Sequence, residues 1–303
     1  MTIKQIIKKY VPYRLFAAVR KIIYPEKIDV LEERIMNDFL TRNYEIAAPD
    51  MDQKTVFRNA EFKVYSKHGN DGILAFLFSK IGVTNRTFVE IGVEQGRECN
   101  TANLALNFGW NGLMIDANDG WLNSARTFYK EKLGSRSGKV KIVTSFVTAE
   151  NINKTIADAG ISGEIDLLSV DIDSNDYFVW KNISVINPRV VVMEYNAAFG
   201  LNSVTMKYDP KFHFQNTYKE NPLYFGVSLP ALVRLAHTKG YVLVACDTHG
   251  HDAFFLRKDV VQGKFKELSA EEAFYPNPVT IQRYGSLEKQ FEIIKNLSLE
   301  EVK

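Results

Sequence analysis

Cysteine is nearly absent from this 303-residue chain: Cys99 and Cys246 are the two it has, far apart in sequence. Two distant thiols give neither a disulfide framework nor a metal-ligand spacing, so a reducing, cytoplasmic setting is the default expectation. No apolar run reaches the length of about eighteen residues that a membrane-spanning helix needs. Lys8, Lys9 and Arg14 interrupt the N-terminal apolar residues, which argues against a signal peptide. A large excess of charge is lacking too. The net charge is +2, too balanced to argue for a nucleic-acid partner. There is no internal repeat and no low-complexity segment. What remains is ordinary for a globular protein, 46% hydrophobic and 24% charged, long enough for one large domain with additions or for two small ones.

One further shortage is local. The stretch Thr87-Phe-Val-Glu-Ile-Gly-Val-Glu-Gln-Gly-Arg-Glu-Cys-Asn100 reads as a buried strand that breaks at Gly92, continues to Gly96 and leads into a helix over 101–108. A strand, a glycine turn and a helix let backbone approach a nucleotide-like ligand at the end of a parallel strand. The second glycine of a dinucleotide fingerprint is missing, because Glu94 stands there. A diphosphate is therefore poorly served, which disfavours a nicotinamide dehydrogenase. Carboxylates at 90 and 94 suit a cationic or zwitterionic ligand better. The next strand, 112–116, ends in Asp116, where an acid can hold ribose hydroxyls.

The remaining elements are read in chain order. Residues 1–27 are basic and amphipathic, a pattern that suits an anionic membrane surface or a helical arm packed on its own domain or on a sister subunit. A helix is expected over 30–43. Another is expected over 73–81; His68, Asn70 and Asp71 before it can face a cofactor, or Asn70 or Asp71 caps it. A helix over 121–132 and a strand over 140–144 follow. Phe146 and Val147, just after that strand, can wall an adenine ring or serve as plain core. A helix over 151–158 precedes a strand over 165–170, which delivers Asp171 and Asp173. A strand over 190–193 delivers Glu194 and Asn196. Four oxygen side chains at one sheet edge suit Mg²⁺ or Mn²⁺ rather than zinc. Alternatively these groups cap helices and orient a cofactor amine without metal. Residues 197–227 form an aromatic-rich insertion expected to act as a lid, with a satellite hydrophobic cluster under the loop as the alternative. Ser228, Pro230 and Gly240 bracket a helix. Strands over 241–246 and 253–257 form a hairpin, so one sheet edge should be antiparallel. His249 and His251 in its turn are candidate bases or metal ligands. The tail from 263 shows mixed charge and a weak helical period over 284–297.

The segments Tyr65–Ile73, Phe88–Asn100, Gly109–Asp116, Leu168–Asp176, Glu194–Asn196 and Asp252–Phe255 together resemble the FkbM-like branch of the class I S-adenosylmethionine-dependent methyltransferases. The resemblance runs from Phe62 to Arg257. It implies a Rossmann-like α/β fold with a mostly parallel seven-stranded sheet and an antiparallel edge hairpin. The expected division is an arm and linker (1–60), a methyltransferase domain (61–262) with the lid, and a tail (263–303). The family motif, acid-x-Gly-x-x-x-Gly followed by a ribose-binding acid, falls on Glu90, Gly92, Gly96 and Asp116. It implies S-adenosyl-L-methionine as cofactor, with Phe146, Val147 and Asp71 beside it. The acceptor implied is a saccharide or glycan hydroxyl. Asp171, Glu194, His249 and His251 are the catalytic candidates, with Asp171, Asp173, Glu194 and Asn196 as ligands for Mg²⁺ or Mn²⁺. Peripheral membrane contact through residues 1–27 and a homo-oligomer are compatible partners. Metal-independent methylation of another small molecule stays open, as does a non-catalytic cofactor-binding role in a glycan assembly complex. Two departures stand out. Relatives commonly carry Gln-x-Gly-Glu-Asp where this chain has Lys67-His-Gly-Asn-Asp71, and Asn where it has Asp252.

Overall fold

Short apolar runs become strands because every one of them finds a partner on at least one side. In chain order the strands are β1 (Thr87–Ile91), β2 (Asn111–Asp116), β3 (Val140–Thr144), β4 (Gly163–Val170), β5 (Ile186–Glu194), β6 (Val204–Met206), β7 (Tyr241–Cys246), β8 (Asp252–Arg257) and β9 (Leu299–Glu301). The computed structural model describes residues 51–214 and 219–303. Seven strands form one sheet in the order β3-β2-β1-β4-β5-β8-β7. The first five run parallel, and β8 lies antiparallel between β5 and β7. This is the Rossmann-like arrangement expected from the sequence, with the hairpin at one edge. Helices cover the sheet, so its central strands are buried on both faces and read as continuous apolar runs. Val89, Leu113, Leu168, Val191 and Phe255 are all fully buried in one core.

The chain leaves β1 toward β2 on one side and leaves β4 toward β5 on the other, although β1 and β4 are neighbours. The loops after these two strands therefore part, opening a crevice at their carboxyl ends.

Helix boundaries follow local chemistry. Leu229–Lys239 is capped by the Ser228 side chain, carries Pro230 in its first turn and ends on Gly240 in the left-handed region. Asp119–Leu133 begins two residues earlier than its apolar period suggests, because Asn118 caps it. Asn70–Ile81 begins three residues early, after left-handed Gly69. Strand β5 runs back through Pro188, which apolar patterning had placed outside it. β8 pairs with β5 only from Val190 onward, so no ladder hydrogen bond to β8 is demanded of Pro188.

The chain divides into units Met1–Ile46 and Ala47–Lys303. The boundary thus falls before residue 60, and helix Gln53–Ala60 belongs with the sheet: Gln53 donates to the carbonyls of Val244 and Lys266, each at 2.8 Å. The basic arm and the helix expected over 30–43 lie outside the described residues. The tail is built into the second unit. Leu268 N–H donates to the Leu243 carbonyl at 2.9 Å. Within the helical period expected over 284–297 the helix is Leu287–Ile294, and Gly285 separates it from a preceding helix, Pro278–Tyr284. Beyond them β9 pairs antiparallel with β6, tying tail to insertion. No helix among the described residues is long and apolar enough to cross a membrane.

Candidate active site

The crevice holds a cleft of about 750 Å³. Its first half is formed by the turn after β1 and the ends of β2 and β3. Gly92 lies at φ 88°, and a Cβ there would stand 1.6 Å from the Asp171 carbonyl oxygen. The glycine is thus demanded by the close approach of β1 and β4. Glu94, at the missing-glycine position, still adopts the left-handed region (φ 50°). Its N–H donates to Asp116 Oδ2 at 2.8 Å, while Asn118 N–H donates to Oδ1 at 2.8 Å. Two backbone donors therefore fix the Asp116 carboxylate at the cleft wall. Glu90 also lines the cleft but is 4% exposed. It accepts the N–H groups of Asn100 and Thr101 at 2.7 and 2.9 Å, as well as the Thr101 hydroxyl. Burial pushes its carboxyl up, against the pull of these donors. Phe146 and Val147 line the same half, with the Phe146 ring 4.5 Å from that of His213 in the insertion.

The second half is acidic. Asp171, Asp173 and Glu194 each offer one oxygen, all within 4.8 Å of one another. Asp173 is left-handed at φ 53°. Asp176 braces this loop by accepting from Ile172 and Ser174 N–H at 2.8 and 2.9 Å. Burial, and then the charge of Asp171, pushes the Asp173 carboxyl up to about 8. Burial followed by Asp171 and Asp173 pushes Glu194 well above the usual carboxylate range. Its Oε2 is buried with no hydrogen-bond partner. Asp252 is the cross-strand neighbour of Glu194, lines the cleft and is pushed up in the same way, by burial and then by Asp247 and Asp171.

Several sequence candidates stand elsewhere. Gly96 does not line the cleft; a Cβ there would press on Ala125 and Tyr129 at 3.1 and 3.2 Å, so its smallness serves packing on helix Asp119–Leu133. Asp71 does not line the cleft. Its Oδ2 accepts the N–H groups of Val64, Tyr65 and Ser66 at 2.7–2.8 Å and holds that loop in place. Asn196 does not line the cleft, and its polar atoms are engaged in local hydrogen bonds. Its amide donates to the Leu223 and Phe225 carbonyls, and its Oδ1 accepts from Ala198 N–H. His249 lies outside the cleft lining, its ring stacked at 4.8 Å on His68.

His251 does reach the cleft, with Nδ1 3.9 Å from Glu194 Oε1. Its Nε2 lies 2.9 Å from the Asn277 amide nitrogen. Asn277 Oδ1 is committed to capping helix Pro278–Tyr284 through Val279 and Thr280 N–H. The amide must therefore present its NH₂ to the ring, so Nε2 accepts and Nδ1 carries the proton toward Glu194. The basic lone pair is occupied, and burial pushes the imidazole below its ordinary pKa.

His68, read from the sequence as able to face a cofactor, does line the cleft, whereas Lys67 and the C-terminal wall of Asn277, Thr280 and Arg283 were not singled out as site residues. His68 stacks 4.4 Å from His251 and is pushed down to about 3 by burial and then by the two neighbouring imidazoles. Near-parallel rings at that spacing cannot aim nitrogens at one ion, so the three histidines do not form a metal site. The departure at position 67 was the signal for Lys67. Nothing in local pattern marked the C-terminal wall.

No protein-family model matches the chain, and no curated protein matches it. Among solved structures, the O-methyltransferase from Bacillus cereus in complex with SAH aligns at 15% identity and TM-score 0.37, over 80% of this chain and 96% of that one. The N-terminal domain of EvdMO1 in the presence of SAH and D-fucose aligns at 14% identity and TM-score 0.39, over 68% and 95%. A SAM dependent methyltransferase from Aquifex aeolicus aligns at 12% identity and TM-score 0.35, over 62% and 88%. Likenesses this distant do not decide chemistry, which has to come from the chain's own residues.

Proposed function

We propose that the chain is an S-adenosylmethionine-dependent O-methyltransferase acting on a sugar hydroxyl, as the FkbM-like resemblance implies. The observation that carries this reading is the division of one cleft. A fixed ribose-type acid, Asp116, and an apolar wall at Phe146 and Val147 line one half, and clustered carboxylates line the other. Methyl transfer from a sulfonium is an in-line displacement, so the protein's task is mainly alignment. A sugar hydroxyl is a weak nucleophile and needs a base within reach, or a metal that lowers its pKa. Among the three clustered acids, Asp171 is the one whose backbone packs against the Gly92 turn, and we assign its carboxylate as the acceptor of the hydroxyl proton. Asp173 and Glu194, with Asp171, are the residues that would hold Mg²⁺ or Mn²⁺. Their hard oxygens and the unpartnered Glu194 Oε2 fit such an ion. When bound, the ion supplies Lewis acidity at the acceptor oxygen.

Calorimetry and labelled-methyl transfer test the reading together. Asp116→Ala should weaken S-adenosylmethionine binding by roughly 1–3 kcal/mol, because ribose hydroxyls lose their acceptor. Label should pass to a saccharide acceptor with wild-type protein. Unchanged donor affinity in Asp116→Ala would remove the donor assignment. Donor binding without transfer to any saccharide would leave a binding protein rather than an enzyme of this specificity.

A further inference from the structure

The loop that precedes helix Asn70–Ile81 is fastened at every side. Asp71 Oδ2 holds the N–H groups of Val64, Tyr65 and Ser66. Phe62 N–H donates to the Gly69 carbonyl, and Gly72 N–H donates to the Phe62 carbonyl. The Asn70 amide donates to Asp252 across the cleft wall at 2.6 Å, and His68 stacks on His251. Between these anchors stands Lys67. Its side chain is half-exposed, lines the same cleft as Asp171, Asp173 and Glu194, and brings Nζ to 3.8 Å from Glu94 Oε1. Lys67 thus puts a cation on a flexible tether in the same cleft as these carboxylates.

From this arrangement we infer that Lys67 is a built-in counter-cation for the acid end of the cleft and competes with a divalent ion for the same carboxylates. The inference rests on the reading of Asp171, Asp173 and Glu194 as a metal-competent set. An acidic cluster alone would not justify such a site. Here Glu194 is 7% exposed, and its Oε2 has no partner although it lies in the cleft wall. A lone buried carboxylate oxygen is a cost that a cation relieves. Two cations are on offer, a free divalent ion or the Lys67 ammonium. Electrostatics follows the same line: Asp171 first, then Glu94 and Glu194, hold the lysine charged against the opposing effect of burial. A like-charged neighbour raises the energy of any second cation placed there. The wild-type chain therefore binds divalent metal weakly and works with its own ammonium in the cleft at low metal concentration. Swinging the flexible lysine stem out toward solvent is the way a divalent ion gains the carboxylates.

The experiment titrates Mn²⁺ into full-length protein at neutral pH and reads the free-ion signal by electron paramagnetic resonance, with no substrate and no turnover. Circular dichroism confirms that each variant is folded. Lys67→Gln should bind Mn²⁺ roughly tenfold more tightly than wild type, since it removes a like charge from a partly buried site. Lys67→Arg, which keeps the charge, should match wild type. Asp171→Asn in the Lys67→Gln background should lose the gain. Equal Mn²⁺ affinity in wild type and Lys67→Gln, with loss in Asp171→Asn, would overturn the competition and leave the metal reading standing. No Mn²⁺ binding in any of the four proteins would overturn the metal reading, and the competition with it.

Discussion

Two of the three positions at which this chain departs from the pattern it resembles, 70 and 252, touch each other. The Asn70 amide donates to Asp252 Oδ2 at 2.6 Å and to Asn100 Oδ1 at 2.9 Å, and the Asn100 amide donates on to Ser169 Oγ at 3.1 Å. Asn70 is fully buried and Asp252 is 6% exposed. The resemblance implies an acid on the helix and an amide on the strand, and this chain carries the reverse. A double-mutant cycle measures whether the exchange is one event. Asn70→Glu alone sets a second carboxyl against Asp252. At about 4 Å and an effective dielectric near 20, two such charges repel by about 4 kcal/mol, an upper figure because one of them will keep a proton instead. A loss of roughly 2–4 kcal/mol of stability at neutral pH is expected, including the forfeited bond to Asn100. Asp252→Asn alone keeps an acceptor for Asn70 and removes a carboxyl crowded by Glu194 across the strand pair, so it should stay within about 1 kcal/mol of wild type. The double variant restores one acid and one amide and should recover most of the loss, a coupling of roughly 2–3 kcal/mol. Urea unfolding of the four proteins gives the answer. The Asn70→Glu penalty should also shrink as pH falls below the carboxylate range, where both acids are neutral. A double variant no more stable than Asn70→Glu would refute the idea that the two departures compensate.

Two further outcomes follow from backbone and burial. Gly92→Ala forces a methyl onto the Asp171 carbonyl and asks for φ 88° from alanine, so unfolding free energy should drop by more than about 3 kcal/mol, and limited proteolysis should show the ends of β1 and β4 loosened. At the opposite sheet end, fully buried Asp166 accepts from Thr84, Asn85 and Arg86 N–H and pairs with Arg189 at 2.8 Å. Burial drives its carboxyl up, but Arg189 and those donors outweigh it and leave the pKa lowered. Its stabilisation is therefore complete above the unfolded value near about 4 and is lost as pH falls through the lower folded value. Asp166→Asn should cost roughly 3–5 kcal/mol at pH 7 by stranding Arg189, and the gap to wild type should close in thermal melts at strongly acidic pH.

How much of this could be read in advance depended on whether the cause was local. Strands β3 and β7 begin and end where their apolar runs do, and the helix Leu229–Lys239 obeys its cap residues. These signals lie within a few residues of the feature they set. The tail was opaque because its order comes from distant partners: β6 and β9 are three-residue strands that exist through pairing such as Val204 with Glu301. No window of sequence contains that pair. The same limit hid Asn277, whose capping of a tail helix decides which nitrogen of His251 carries the proton.

The site residues divide along the same line, and the division bears on how the motif should be used. Gly92 and Gly96 both matched the family spacing, yet one is required by the Asp171 carbonyl and the other by Ala125 and Tyr129. The spacing therefore records how β1 meets β4 and the helix Asp119–Leu133, which is fold geometry. Ligand preference is written by side chains that meet only after folding. Asp116 is aimed by Glu94 and Asn118, and Glu194 is left with an unpartnered oxygen. Lys67 is placed beside Glu94, in the cleft that also holds the clustered acids, by a loop pinned through Asp71. A reader with the sequence alone could place the crevice, because a switch point follows from strand order. The balance of charge inside it depends on which of the clustered acids keeps a proton, which takes Lys67 as counter-ion and which is left for an incoming cation. Those are relations between residues 67, 171, 194 and 252, and no one of them announces the answer.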